Sequence, residues 1–287
     1  MKDTEKLCNS KIGIIGFGYI GSNLYHYLNS ISKGKNISIV IFKRNNLEDI
    51  GNYSFDYIFN CAGNSGDFRN DLLETVESNV GLTTYLLKNS KVKTKLVYLS
   101  STRIYGFSTD KNVIFNENSI VNVDNKNIDY IYDGTKLLTE SILLNYSKKI
   151  DYKINIVRLS NVFGKFQQDD DATLIKKIFR YKKNNLTLTL YQNIFDSTKD
   201  YIYISDALSG IIKTATLGTE NNIYNIASGK SFSVRAITTI LNQEVNIIKS
   251  KMKPCFSNIC IEKSKQHLNF VPSYQMESAL KQTIHEK

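Results

Sequence analysis

Cysteine, long apolar runs and clustered charge are all scarce in this sequence, and each shortage removes a class of protein. The four cysteines, Cys8, Cys61, Cys255 and Cys260, stand at no zinc-like spacing. Cys255 and Cys260 form a C-x4-C pair with no second pair to complete a site, so no metal is expected. Reduced, mostly buried thiols in a cytoplasmic protein are the expectation instead. The first ten residues are polar and charged and do not read as a signal peptide. The longest apolar runs elsewhere are strand-sized, so no membrane span is expected. The net charge is +10, yet the lysines are dispersed and no block of five basic residues occurs. Nucleic-acid binding is therefore not expected, whereas an anionic nucleotide ligand suits the charge. Neither an internal repeat nor a low-complexity linker interrupts the chain.

What is present is enough for a full hydrophobic core: 287 residues need neither disulfides nor metals for stability. The first half alternates short β-branched runs with segments of helical period, the pattern of a parallel sheet wrapped by helices. Strands are predicted at 12–15, 37–42, 57–61, 96–100 and 154–159. Leu24, Tyr27, Leu28 and Ile31 recur at helical spacing, as do Leu72, Leu73, Val76 and Val80. The interval 43–56 is too short for a further strand and helix, so the sheet is expected to lack one strand. Beyond Asn161 the regularity weakens into a polar loop at 167–171, a helix at 173–182 and a strand at 186–191. A helix over 276–284 closes the chain after Pro272. The expected architecture is α/β: a Rossmann-type doubly wound parallel sheet with a smaller, mostly C-terminal substrate-binding lobe. Residues 1–163, rejoined by 200–228, would form the main domain, and 164–199 with 229–287 the lobe.

Gly16-Phe17-Gly18-Tyr19-Ile20-Gly21 follows the first strand directly and opens the first helix. Glycines there allow a tight turn and let a pyrophosphate approach free N–H groups at a helix N-terminus, so all six residues are candidates for dinucleotide binding. At the end of the second strand, where an acidic side chain would read the ribose hydroxyls of NAD, stand Lys43 and Arg44, with no carboxylate before Glu48. Two cations suit a 2′-phosphate, which favours NADP(H) over NAD.

Tyr132 is the only tyrosine in the chain followed four residues later by a lysine, Lys136. That spacing puts phenol and ammonium on one helical face, where the cation would draw the phenol down from its ordinary value near 10. The run Leu99-Ser100-Ser101-Thr102-Arg103 ends a strand at the carboxyl edge of the sheet, where such folds bind ligands.

Taken together these motifs resemble the extended short-chain dehydrogenase/reductases, a family of nucleotide-sugar epimerases, dehydratases and ketoreductases. The similarity runs almost from end to end. Residues 56–63, with Cys61, Ala62 and Gly63, resemble the family's fourth strand and cofactor loop, and residues 79–83 the helix after it. Ser100 to Gly106 resembles S-S-x-x-V-Y-G, which places the catalytic hydroxyl at Ser101, while Tyr132 and Lys136 match Y-x-x-x-K. Arg158-Leu159-Ser160-Asn161-Val162-Phe163-Gly164 resembles R-x-x-N-V-Y-G, whose Asn approaches the substrate diphosphate. Lys199-Asp200 stands where R-D is usual, and residues 224–229 resemble the Y-N-x-G-S-G turn.

The resemblance implies catalysis by Ser101, Tyr132 and Lys136, with substrate contacts from Ser101, Thr102, Arg103, Asn161 and Lys199. It also implies a nucleoside-diphosphate sugar as partner and a homodimer formed through two helices of the main domain. Dehydratases of the family carry an acidic pair where this chain has Thr102 and Arg103, which argues against elimination of water. The expected reaction is NADPH-dependent reduction of a keto group on a nucleoside-diphosphate-linked 6-deoxy-4-keto sugar. An NAD-dependent epimerase and a non-catalytic dinucleotide sensor are the alternatives.

Overall fold

A computed structural model describes residues 2–64, 69–121, 130–164 and 173–285; the polar loop expected at 167–171 lies outside them. In chain order the strands are β1 (Lys11–Ile15), β2 (Ser38–Phe42), β3 (Ser54–Asn60), β4 (Lys91–Ser101), β5 (Ile114–Phe115), β6 (Lys153–Leu159), β7 (Asn161–Phe163), β8 (Leu188–Tyr191), β9 (Thr198–Tyr203), β10 (Ile223–Ile226), β11 (Ser231–Ser233), β12 (Val245–Ile248) and β13 (Phe256–Ile259). Six of them form one parallel sheet in the order β10-β6-β4-β3-β1-β2. A sheet of this kind is covered on both faces, so its strands read as nearly continuous apolar runs. Leu96 and Tyr98 of β4 pack into a core with Ile58, Phe55 and Ile156. Val97 and Leu99, pointing the other way, join Ile12, Ile14, Phe59 and Val157.

The order reverses between β1, flanked by β2 and β3, and the strands beyond, which makes this a doubly wound Rossmann-type sheet. Between β2 and β3 the chain makes only 3-10 turns, Arg44–Asn52, and β2 remains the edge of the sheet. A second sheet, β11-β9-β13-β5 with β7 beside β9, and a β12-β8 pair lie apart from the first. Helices are found where the period predicts them: α1 (Tyr19–Ser32), α2 (Leu72–Val76), α3 (Leu82–Asn89) and α4 (Ile131–Tyr146), then Leu174–Lys183 and Met276–His285. Among the described residues no helix is long and apolar enough to cross a membrane.

Two apolar patterns turn out differently from the sequence expectation. Leu72, Leu73 and Val76 do not face the core; Leu73 is 83 % exposed, and the buried side of this helix is Thr75, Ser78, Asn79 and Thr83. The reason is a polar seam. Asn79, in a π turn between α2 and α3, donates to Thr135 Oγ1 at 2.9 Å and accepts at its carbonyl from Thr139 Oγ1 at 3.0 Å, both on α4. Asn60 at the end of β3 donates to Thr83 Oγ1 at 3.0 Å. Leu138, one of the four leucines of α4, is likewise exposed, while Leu143 on the same helix is fully buried.

Candidate active site

The carboxyl ends of β1, β3 and β4 bring three segments together. Gly16 ends β1 at φ +85° and donates its N–H to Phe42 O at 2.8 Å. A Cβ at Gly16 would lie 2.7 Å from Ala62 Cα, so the loops after β1 and β3 touch backbone to backbone. Gly18 stands at the N-cap of α1 and contributes no side chain over the first turn. A cleft of about 380 Å³ opens there, lined by Gly16, Phe17, Gly18, Lys43, Arg44, Cys61, Ala62 and Gly63 among the predicted residues. Tyr19, Ile20 and Gly21 form the first turn of α1 behind it, and a side chain at Gly21 would collide with the Gly16 carbonyl.

The cleft also takes its walls from Leu47, Asn64, Glu74, Ser78 and Leu82, none of which the motifs reveal. Glu74 changes the charge picture most. The Arg44 guanidinium reaches Glu74 through Nη1 at 2.9 Å and again through Nη2, which also donates to Ser78 Oγ at 2.9 Å. Lys43 lies over the Phe17 ring, 5.2 Å from its centroid. A carboxylate thus shares the end of β2 with the two cations, although none precedes Glu48 along the chain there. It arrives from a segment 30 residues away, with no local signal in the sequence. A tight glycine turn with open space at Gly18, an uncapped helix N-terminus and flanking charges together fit a dinucleotide.

On the other side of the Gly63 loop is the candidate catalytic group. A Cβ at Gly63 would stand 3.0 Å from Lys136 Nζ, which donates to Leu99 O on β4 at 2.8 Å. Two residues further along β4, Ser101 caps the 3-10 turn Thr102–Tyr105, its Oγ accepting from the Arg103 N–H at 3.2 Å. The Ser101 hydroxyl lies beside the Tyr132 phenol. Lys136 Nζ lies 5.8 Å from the Tyr132 ring centroid, so the structure brings Ser101, Tyr132 and Lys136 together, and all three are buried.

Their electrostatics differ from the expected pattern. Burial pushes the Tyr132 phenol up to about 12, with the Arg103 guanidinium and the Ser101 hydroxyl pulling against it. Burial lowers the Lys136 ammonium to about 8, opposed by Cys61 and Glu140. The phenol is thus not drawn below its ordinary value; it is a neutral hydroxyl at pH 7. Arg103 lies with its guanidinium carbon 5.7 Å from the Tyr132 ring centroid and grips Asp133 through Nε at 2.9 Å and Nη2 at 3.3 Å. Asp133, the residue after Tyr132, also feels Lys199 and Arg69. The Lys199 ammonium is 5.2 Å from the Phe107 ring and is lowered to about 8, by burial first and then by Arg103. Asn161 donates Nδ2 to Asp200 O at 2.8 Å, and Thr102 is buried in the turn beside Ser101.

Residues 12–227 match the model of the NAD dependent epimerase/dehydratase family. Among curated relatives, dTDP-D-glucose 4,6-dehydratase of Dictyostelium discoideum is 27 % identical over 269 residues, covering 79 % of this chain and 60 % of its own length. The dTDP-4-dehydro-6-deoxyglucose reductase of Escherichia coli is 28 % identical over 178 residues, 61 % of this chain and 53 % of its own. The chain thus spans little more than half the length of these two relatives. Among solved structures, RMD from Pseudomonas aeruginosa complexed with NADPH superposes with a TM-score of 0.80 at 18 % identity, covering 96 % of this chain and 97 % of that one. UDP-glucuronic acid 4-epimerase from Bacillus cereus, in complex with UDP-glucuronic acid and NAD, gives 0.79 at 20 % identity, covering 96 % and 98 %. At such identities these structures establish the shared fold.

Proposed function

We propose that this chain, which belongs to the NAD dependent epimerase/dehydratase family and is an enzyme of the extended short-chain dehydrogenase/reductase type, uses NADPH to reduce a keto group on a nucleoside-diphosphate-linked sugar, a 6-deoxy-4-keto sugar. The observation that carries this reading is the placement of Tyr132, buried with Ser101 and Lys136 at the carboxyl edge of the sheet beside the glycine-lined cleft. A carbonyl being reduced needs a proton on its oxygen, and the Tyr132 hydroxyl would supply it while Ser101 orients that oxygen. Thr102 and Arg103 stand where an eliminating enzyme of the family has an acidic pair, and the nearby Asp133 carboxylate is engaged by Arg103, which argues against loss of water.

The Gly16 loop, Lys43, Arg44 and the 61–63 loop would hold the dinucleotide, with Lys136 toward its nicotinamide ribose. When bound, the reduced nicotinamide supplies the hydride. Lys199 and Asn161 face the diphosphate of the sugar nucleotide, which lies between the main domain (1–163 and 200–228) and the lobe of 164–199 and 229–287. The compartment is the cytoplasm, which four free thiols favour. A second copy of the chain covers the exposed Leu72, Leu73, Val76 and Leu138 on the adjacent helices α2 and α4, making a homodimer.

The test is Tyr132→Phe. Turnover of NADPH with keto-sugar nucleotides should fall by roughly 10²–10⁴-fold, with cofactor affinity nearly unchanged. A variant retaining full activity removes Tyr132 from the chemistry. The second reading, an NAD-dependent epimerase, draws on the Glu74 carboxylate in the cleft. It takes over if sugar nucleotides are interconverted with no net consumption of NADPH.

A further inference from the structure

We propose that Glu74 sets the cofactor preference of this chain, holding Arg44 away from a 2′-phosphate and accepting from ribose hydroxyls, so that the cleft takes both NADP(H) and NAD(H). The inference deepens the function proposed above and rests on its dinucleotide reading.

The cleft end beside β2 contains two kinds of recognition chemistry at once. Lys43 and Arg44 are donors and cations suited to a phosphate dianion. Glu74 is an acceptor suited to neutral hydroxyls, and it lines the same cleft. Its position is fixed from below: Asp71, the N-cap of α2, accepts the Glu74 N–H at 2.9 Å. Its charge is fixed by its partners, since hydrogen bonds from Arg44 and Ser78 hold the carboxyl below its ordinary range.

The pairing is two-pronged, which matters for what Arg44 has left to offer. Nη1 and Nη2 both address Glu74, and Nη2 also addresses Ser78, so the fork that would grasp a phosphate is already engaged. An exposed ion pair of this sort is weak, and a phosphate dianion can break it. The Glu74 carboxylate, once displaced, still repels that dianion. A carboxylate and a phosphate dianion a few ångströms apart in water cost roughly a factor of ten in affinity. Glu74 therefore weakens the preference that Lys43 and Arg44 alone would impose. Glu74 is a partly exposed surface residue whose partners are the exposed Arg44 and the buried Ser78 hydroxyl, and Glu74→Gln keeps a side-chain acceptor for both, so the fold stays intact.

Calorimetric titration of the purified full-length protein with NAD⁺ and NADP⁺, for wild type, Glu74→Gln and Arg44→Gln, tests this without needing a substrate. The two dissociation constants of the wild type should lie within about tenfold of each other. Glu74→Gln should tighten NADP⁺ by about five- to tenfold and weaken NAD⁺ by about fivefold, the NADP⁺ effect shrinking as salt rises. Arg44→Gln should weaken NADP⁺ alone. If Glu74→Gln leaves the ratio of the two constants within about twofold of wild type, or weakens both dinucleotides equally, the role given to Glu74 is wrong. If the wild type binds neither dinucleotide, the dinucleotide reading itself falls with it.

Discussion

Glu140 lies one turn beyond Lys136 on α4, and its loss should be strongly destabilising. Its carboxylate receives Arg158 Nε at 3.1 and 3.2 Å and Nη2 at 2.7 Å. Both side chains are nearly inaccessible, 2 % for Glu140 and 6 % for Arg158. Arg158 sits on β6, so this pair fastens α4, which carries Tyr132 and Lys136, to the sheet. Its other partners are neutral: Nη1 donates to Tyr105 Oη at 2.9 Å and to Glu117 O at 3.2 Å. Glu140→Ala would leave a buried guanidinium with no countercharge, a loss of about 3–5 kcal/mol. That is a large part of the roughly 5–15 kcal/mol by which a typical domain is stable.

Equilibrium urea unfolding followed by circular dichroism reads this as a midpoint lowered by about 1–2 M. The double change Glu140→Leu with Arg158→Met removes both charges and should recover most of the loss, because the desolvation of the pair disappears with it. A cost below about 1 kcal/mol for Glu140→Ala, or a double variant as weak as the sum of the singles, would refute the account. In the folded fraction, turnover should fall too, since a displacement of Tyr132 by about 1 Å costs on the order of 10²-fold.

Lys199 gives a pH test. Its ammonium, lowered to about 8, is charged below that pH and neutral above it. Binding of a nucleoside diphosphate should therefore weaken by about fivefold between roughly pH 7 and 9.5. Lys199→Arg, which keeps its charge, should flatten the profile; an unchanged profile would detach Lys199 from the diphosphate. The dimer is checked by light scattering: wild type should show twice the 32.7 kDa chain mass and Leu73→Glu the single mass. Equal masses for the two would mean that this face is not the contact.

Much was legible from residue order alone because it depends on contacts close along the chain. The glycine run after a buried strand, the four-residue step from Tyr132 to Lys136 and the continuous apolar strands each carry their geometry locally, through helix and strand periods. So does the short 43–56 link, which leaves no room for a further strand and helix. Helical period alone misplaced Leu72, Leu73 and Val76, because it reports that a stripe is apolar and not what faces it. The π turn at 77–81 and the threonines of α4 turned the polar stripe inward.

Tertiary structure alone decided the charges of the site. Arg44 meets Glu74 across 30 residues, Arg103 meets Asp133 across 30, and Arg158 meets Glu140 across a helix and a strand. The phenol of Tyr132 is governed by burial more than by its lysine, and burial exists only once the loops after β1, β3 and β4 have closed around α4. The sequence by itself determined which candidate groups would come together here, through spacing along helices and strands. Which protonation state and which counter-ion each received was decided by the fold, because desolvation and Coulomb pairing depend on distance in space.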